Sequence, residues 1–285
     1  MDNSTIKIIC VCGAGTMGSG IAQVSAQAGY QTIQFDVNEA MLVKSKSQIE
    51  KSLDYLVGKT KITSEEKKEI FQRIKFTANI NDCIANVIIE AIVEKKEIKV
   101  DLFNQLAAIN SSQTVLATNT SSISVNEIAK EIPLPERVVG MHFFNPATIM
   151  KLVEVIQAEH TSKEVVESIL QVCKQMNKVA VVCKDAPGFI VNRMARHYYL
   201  EAMKLIELNL ATVETVDAVL ENAGFKMGPF KLMDLIGMDI NFSVSKIVYE
   251  SMGKPERLTP SIVQQQKVEA GELGKKSGKG FYSYP

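Results

Sequence analysis

The sequence has no excess of either charge, no long apolar run, few histidines and no regular cysteine framework. Each shortage narrows what the chain can be. Lys+Arg and Asp+Glu both number 32, so the net charge is zero, and nothing overall points to nucleic acid or an anionic membrane as partner. No apolar run approaches the ~20 residues that span a bilayer. The N-terminal MDNSTIK lacks the charged-then-apolar pattern of a signal peptide. The five cysteines, at positions 10, 12, 83, 173 and 183, are odd in number and irregular in spacing, which points to a reducing cytoplasm. No group of His, Cys and Asp has the spacing of metal ligands, so no metal site is expected. What is present is a hydrophobic fraction of 46% over 285 residues, enough for one large domain or two smaller ones.

The clearest motif lies near the start. Ile6 to Val11 reads as a buried strand and runs into GAGTMG, with Gly13, Gly15 and Gly18 at the fingerprint spacing. Met17 to Ala28 reads as a helix closed by Gly29, and Tyr30 to Phe35 as a second strand ending at Asp36. Strand, GxGxxG, helix, strand and then an acid is the dinucleotide-binding pattern. The first glycine makes the tight turn, the second admits the pyrophosphate, and the third lets helix and strand pack closely. The phosphates would sit on the helix N-terminus, at Gly13, Gly15, Thr16, Met17 and Gly18. Asp36 would accept from the ribose hydroxyls and repel a 2′-phosphate, which favours NAD over NADP.

Two helices are predicted next, Glu39 to Val57 and a second opened by a capping box at Thr63 and Glu66 that runs to about Arg73. They make a helical hairpin inserted into the βαβ rhythm, carrying Lys44, Lys46, Lys51, Lys59 and Lys61. Such a charged face is commonly only solvated; the alternative is a cationic arm for a phosphate-bearing substrate. Further strands are read at Val87 to Ile92, Thr114 to Thr118, Val138 to Phe144, Leu152 to Ile156 and Val179 to Cys183. Helices are read at Lys95 to Ala108, from near Val125, and at Thr161 to Asn177, the last opened by a T-x-x-E box. Asn119 to Ser122 follow a parallel strand, where ligand-lining residues gather in open α/β sheets. After Ala186 no convincing strand appears. Phe189 to Leu208, Val213 to Ala223, Pro229 to Met252 and Ser261 to Ala270 all read as helices.

The chemistry is placed between Val138 and Val155. If the two strands there pair antiparallel around a loop near Thr148, His142 and Glu154 fall opposite each other, roughly 5 Å apart. A carboxylate that orients a buried imidazole fixes its tautomer and stabilises the imidazolium. Such a pair can take a proton from an alcohol. A lone strand histidine can equally be a satisfied core residue. His160 and His197 are given no chemistry.

Several stretches together resemble the L-3-hydroxyacyl-CoA dehydrogenase family, particularly its bacterial 3-hydroxybutyryl-CoA branch. They are CGAGTMGSGIA, EAIVE at 90–94, ATNTSSIS at 117–124, GMHFFNPATIMKLVEVI at 140–156, DAPGFIVNR at 185–193, MGPF at 227–230 and the closing KKSGKGFY. The resemblance covers essentially the whole chain. It implies an α/β fold: a Rossmann-type, mostly parallel sheet domain over residues 1–186 with the inserted helical hairpin. An all-helical C-terminal domain over 187–285 would form most of a homodimer interface. It implies His142 as general acid/base oriented by Glu154, with Ser121 and Asn192 holding the substrate's oxygen and thioester region. Glu94 and Lys99 match positions near the nicotinamide ribose, and Asn145 matches a position shaping the same pocket on the cofactor side. Ser52 and Lys59 match positions that contact CoA. NAD and an acyl-CoA are thus the implied cofactor and substrate.

Residues 195–199, ARHYY, depart from the resemblance, being bulkier and more polar than the apolar helix expected there. If they face the acyl tail, they bear on chain-length preference. Competing readings are a dehydrogenase of a free hydroxy acid or sugar acid, and a non-catalytic NAD-binding protein such as the lens crystallins of this superfamily. A dehydrogenase part of a larger multifunctional enzyme is disfavoured because no length is left over for a hydratase domain.

Overall fold

The computed structural model describes residues 6–285; the MDNST of the signal-peptide reading lies outside the described residues. The chain forms two compact units that meet in sequence at Asp185 and Ala186. Among the described residues no helix is long and apolar enough to cross a membrane.

The first unit is built on an eight-stranded sheet. Its strands are β1 (Ile8–Cys12), β2 (Gln31–Phe35), β3 (Ile74–Thr77), β4 (Val87–Glu90), β5 (Val115–Thr118), β6 (Val138–Phe143), β7 (Leu152–Gln157) and β8 (Val179–Lys184). The order is β3-β2-β1-β4-β5-β6-β7-β8, and every neighbouring pair is parallel except β6 with β7. Strand order reverses between β1 and β4, which opens a crevice beyond their carboxyl ends. Helices α1 (Thr16–Gln27), α2 (Glu39–Gly58), α3 (Ser64–Gln72), α4 (Lys96–Ile109), α5 (Val125–Ala129) and α6 (Lys163–Gln175) connect the strands. The central strands are covered on both faces, so they are continuous apolar runs instead of alternating ones. One face of β1 carries Ile9 and Val11 into a core with Ile21 and Val24 of α1. The other carries Cys10 and Cys12, both fully buried with their sulfurs 3.9 Å apart.

Two local readings need correction. Strand β3 is absent from the sequence reading. It is a four-residue edge strand with Lys75 exposed, entered directly from the C-cap of α3, so it shows neither a long apolar run nor clean alternation. Helix α6 starts at Lys163, capped by Ser162 and not by Thr161. The Thr161 hydroxyl instead donates to Val138 O at 2.6 Å and accepts from Ala158 N at 2.9 Å, which draws it into the core. The Thr63–Glu66 capping box is present, and Ser124 caps α5.

The second unit holds α7 (Val191–Glu207), α8 (Val213–Asn222), α9 (Pro229–Ile236), α10 (Met238–Ser251) and α11 (Ile262–Glu269). The single helix read over 229–252 is broken at Gly237, whose φ of 103° leaves the helical region. Two buried aspartates organise this unit. Asp217 accepts from Phe230 N, Lys231 N and the Tyr282 hydroxyl at 2.9, 3.1 and 2.8 Å. Asp234 accepts from Phe281 N, Tyr282 N and the Tyr284 hydroxyl at 2.9, 2.9 and 3.0 Å. A Cβ on Gly280 would fall 2.0 Å from Asp234 Oδ1, so only glycine lets the closing segment reach that carboxylate.

Candidate active site

The crevice beyond β1 is shaped by what glycine leaves out. Gly13 turns the chain at φ 108°, and a Cβ there would lie 2.4 Å from Ala91 O. A Cβ on Gly18 would lie 2.0 Å from Gly13 O, so that residue lets α1 pack against the turn. Around Gly15 a Cβ meets nothing within 4 Å. Gly15 is also the N-cap of α1 and supplies no side-chain cap, while Thr16 and Met17 make the first helical turn. An open space in front of an uncapped helix start suits a pyrophosphate. At the end of β2, Asp36 Oδ2 accepts from Ala14 N at 2.8 Å and Oδ1 from Asn38 N at 2.9 Å. The glycine turn and the acid are therefore tied into one feature. These residues fit a dinucleotide.

The antiparallel pairing of β6 and β7 sets His142 directly opposite Glu154. His142 Nδ1 and Glu154 Oε2 are 2.8 Å apart, and the side chains are 7% and 1% exposed. The Phe144 ring centroid lies 4.6 Å from that of the imidazole. The adjoining loop holds exposed Asn145 in a cis peptide with Pro146. Ala147 of the same loop packs against α1, since a Cβ on Gly20 would sit 3.1 Å from Ala147 Cβ. Lys178 Nζ secures the loop by donating to Met150 O at 2.8 Å. Asn119 Oδ1 accepts from Phe143 N at 2.8 Å and joins the end of β5 to the histidine strand.

A third group centres on Glu94. Its Oε1 accepts from Thr120 Oγ1 at 2.6 Å, Ser121 N at 2.9 Å and Ser122 Oγ at 3.1 Å. Its Oε2 meets Lys99 Nζ at 3.0 Å. Burial alone would raise the Glu94 carboxyl, but Lys99 and the hydrogen bonds from Thr120 and Ser121 hold it below the usual glutamate value. Lys99 is 1% exposed and also bonds Glu90 Oε1 at 2.6 Å. It therefore serves the site through Glu94, with its ammonium held between two carboxylates. Glu90 is fully buried and further accepts from Thr118 Oγ1 at 2.7 Å and Ile92 N at 2.8 Å. Sequence reasoning placed Thr120 and Ser122 in the ligand-lining stretch 119–122 without giving them a partner, and it gave Glu90 no role. The signal for Glu90 was present: an acid inside VIIEAI, in a doubly covered strand, must find partners.

Glu94, Lys99 and Ser121 are thus brought together, and so are His142 and Glu154. Ser52 is half-buried on α2 and Lys59 is the exposed C-cap of that helix, with Nζ 5.6 Å from the Tyr55 ring centroid. Among the described residues no hydrogen bond joins either to the other groups. Asn192 belongs to the second unit, in the first turn of α7, and its carbonyl accepts from Arg196 Nε at 3.2 Å. Among the described residues no cluster of His, Cys, Asp and Glu is arranged to hold a metal ion.

Comparison with known proteins identifies the family. Residues 8–186 match the family described as 3-hydroxyacyl-CoA dehydrogenase, NAD binding domain, and residues 188–284 match the 3-hydroxyacyl-CoA dehydrogenase C-terminal domain. The chain is 44% identical over 281 residues to the 3-hydroxyadipyl-CoA dehydrogenase of Escherichia coli, covering 98% of itself but 59% of that relative's length. It is 38% identical to the probable 3-hydroxybutyryl-CoA dehydrogenase of Deinococcus radiodurans, covering 96% of itself and 99% of that protein. The crystal structure of a 3-hydroxybutyryl-CoA dehydrogenase from Escherichia coli is similar at TM-score 0.96 and 44% identity, covering 98% of this chain and 60% of that one. That of (S)-3-hydroxybutyryl-CoA dehydrogenase from Ralstonia eutropha is similar at TM-score 0.94 and 34% identity, covering 99% and 100%. With both halves matched and the glycine turn, Asp36 and the buried His142–Glu154 pair in place, the chain belongs to the 3-hydroxyacyl-CoA dehydrogenase family and its first unit is an NAD-binding domain.

Proposed function

We propose that this chain catalyses the reversible oxidation of (S)-3-hydroxyacyl-CoA to 3-oxoacyl-CoA, on short acyl chains of the 3-hydroxybutyryl class. The observation that carries the reading is the buried 2.8 Å contact between His142 Nδ1 and Glu154. NAD, when bound, supplies the hydride acceptor. His142 takes the hydroxyl proton at Nε2, because Nδ1 is held by Glu154, and returns it in the reduction. Glu154 fixes the tautomer and stabilises the imidazolium. Ser121 and Asn192 hold the substrate's oxygen and thioester region. Glu94, Lys99 and Asn145 act on the cofactor side, while Gly13, Gly15, Thr16, Met17, Gly18 and Asp36 bind the dinucleotide. Ser52 and Lys59 grip the CoA moiety far from the reacting carbon, and that binding energy supports positioning at His142.

Residues 1–186 form the NAD-binding part and 187–285 the substrate and dimerisation part of a homodimer. Support for the dimer comes from an apolar groove in the second unit lined by Tyr198, Leu205, Val216 and Leu220, with Val219 60% and Phe225 51% exposed. Free cysteines at every position support a reducing cytoplasm as the working compartment. Zero net charge supports the absence of nucleic-acid and membrane partners. The relatives' names divide between butyryl and adipyl substrates, a methyl end against a carboxylate end.

The test follows NADH loss with acetoacetyl-CoA in the wild type and His142→Gln. Turnover by the wild type, a loss of about 10²-fold or more in the variant, and retained NADH binding are expected. Tight NADH binding without any wild-type turnover would sink the acyl-CoA reading. Replacement of the CoA ester by free 3-hydroxybutyrate would favour a free-acid dehydrogenase.

A further inference from the structure

Strands β5 and β6 separate before the histidine is reached. Their parallel pairing ends at Thr118 and Gly140, while β6 runs on through Met141, His142 and Phe143. Strand β7 lies along one side of that extension, with Val155, Glu154 and Val153 opposite. On the other side β5 has already ended. Successive backbone N–H groups of a strand point to opposite sides, so the shortened ladder leaves an N–H facing the gap. It is that of Phe143, a buried residue, where an N–H without a partner would be costly.

The Asn119 side chain fills that gap. Its Oδ1 accepts from Phe143 N at 2.8 Å, in the place a backbone carbonyl of a longer β5 would take. Asn119 is itself anchored, because its own N donates to Glu90 O of β4 at 2.8 Å. The N–H it holds belongs to the peptide that joins His142 to Phe143. A tilt of that peptide turns the His142 backbone and swings the imidazole with it. Glu154 fixes the ring at Nδ1, and Asn119 fixes the backbone from which the ring hangs. Shortly after Asn119 in the chain, Ser121 N donates to Glu94 Oε1 at 2.9 Å, so one short segment sets Ser121 and His142 relative to each other. The Asn119 Nδ2 takes no part in this and finds no acceptor among the described residues.

We propose that Asn119 is a positioning residue for proton transfer at His142: its side-chain carbonyl stands in for the missing strand and holds the His142–Phe143 peptide against the Ser121 segment. The proposal rests on the reading of His142 as the general acid/base. Asn119 touches no reacting atom in this role. It acts through His142, by keeping Nε2 at the distance and angle that the hydroxyl proton requires. A displacement of about 1 Å at such a centre costs on the order of 10² in rate. Binding of substrate and cofactor does not pass through this contact, so its loss falls on kcat and not on KM.

The experiment is a double-mutant cycle on the NADH-dependent reduction of acetoacetyl-CoA by the full chain, with Asn119→Ala and His142→Gln made singly and together. Asn119→Ala is expected to lower kcat by about 10- to 100-fold. KM for acetoacetyl-CoA and the Kd for NADH should stay within about twofold. In the His142→Gln background the same change should cost less than about threefold, since no imidazole is left to misplace. Asn119→Asp keeps an acceptor for Phe143 N and should recover part of the loss. If the alanine variant folds poorly by circular dichroism, Asn119→Ser, whose hydroxyl is too short to reach Phe143 N, takes its place in the cycle. Equal losses in the two backgrounds would mark a purely structural role and overturn the proposal. A raised KM with unchanged kcat would make Asn119 a substrate ligand through Nδ2 and overturn it as well. Either result leaves the dehydrogenase reading intact. Failure of the wild type to reduce acetoacetyl-CoA removes that reading and this proposal with it.

Discussion

Lys99 Nζ lies 2.6 Å from Glu90 and 3.0 Å from Glu94, so one buried ammonium joins a fully buried carboxylate to one that binds the Ser121 loop. The link makes the loop's geometry depend on a strand residue beneath it. Lys99→Met leaves Glu90 without its counter-ion and should destabilise the first unit by about 3–5 kcal/mol. Chemical denaturation measures this. The double variant Glu90→Gln, Lys99→Met should recover a substantial part of the loss, because no charge is then left buried. An additive double variant would remove the coupling.

Glu94 adds a pH dependence. Its folded pKa lies below the ordinary glutamate value, so the unfolded chain binds the proton more readily than the folded one. The stabilisation is therefore fully present above the unfolded value of about 4.3 and is lost as pH falls through the lower folded value. The Tm gap between wild type and Glu94→Gln should be widest at neutral pH and narrow below about pH 4. A gap that is constant with pH would contradict this.

Two glycines of the fingerprint should respond in opposite ways. Gly18→Ala drives a methyl to 2.0 Å from a backbone carbonyl that cannot swing aside, so the helix and turn must part. A cost of about 1–3 kcal/mol or more is expected, visible as a lower Tm without cofactor. Gly15→Ala meets no protein atom, so its Tm should stay near wild type while NADH affinity falls about tenfold or more. Fluorescence titration with NADH separates the two.

Asp36 is predicted to set the choice of dinucleotide. Asp36→Ser removes the negative charge facing a 2′-phosphate and should shift the ratio of kcat/KM for NAD and NADP toward NADP by about tenfold or more. The same change removes the acceptor for Ala14 N and Asn38 N, so a small drop in Tm should accompany it. Unaltered cofactor preference would place the discrimination elsewhere.

The parts legible in the sequence were those with a local signature. GAGTMG between two apolar runs showed the crevice, and the spacing of His142 and Glu154 about a short loop gave their register directly. Six-residue strands buried on both faces leave a strong trace. The short edge strand β3 does not, because half its side chains meet water. The break at Gly237 was hidden because apolar residues continue on both sides of it, and only the backbone angle marks the change of direction. Glu90 left a signal, an acid in a doubly covered strand, but its partner Thr118 comes from another strand. Arg196 was illegible because its partners Asn241 and Ser245 lie on a distant helix.

The two aspartates of the second unit tie its completion to the order of synthesis. Asp234 waits for backbone hydrogens at Phe281 and Tyr282, the first of them 47 positions later, and Asp217 for the Tyr282 hydroxyl. A chain ending before Phe281 would leave Asp234 without the donors from Phe281, Tyr282 and Tyr284, while Asp217 would keep Phe230 N and Lys231 N and lose the Tyr282 hydroxyl. The last residues therefore close the helical unit by answering carboxylates that its earlier helices carry.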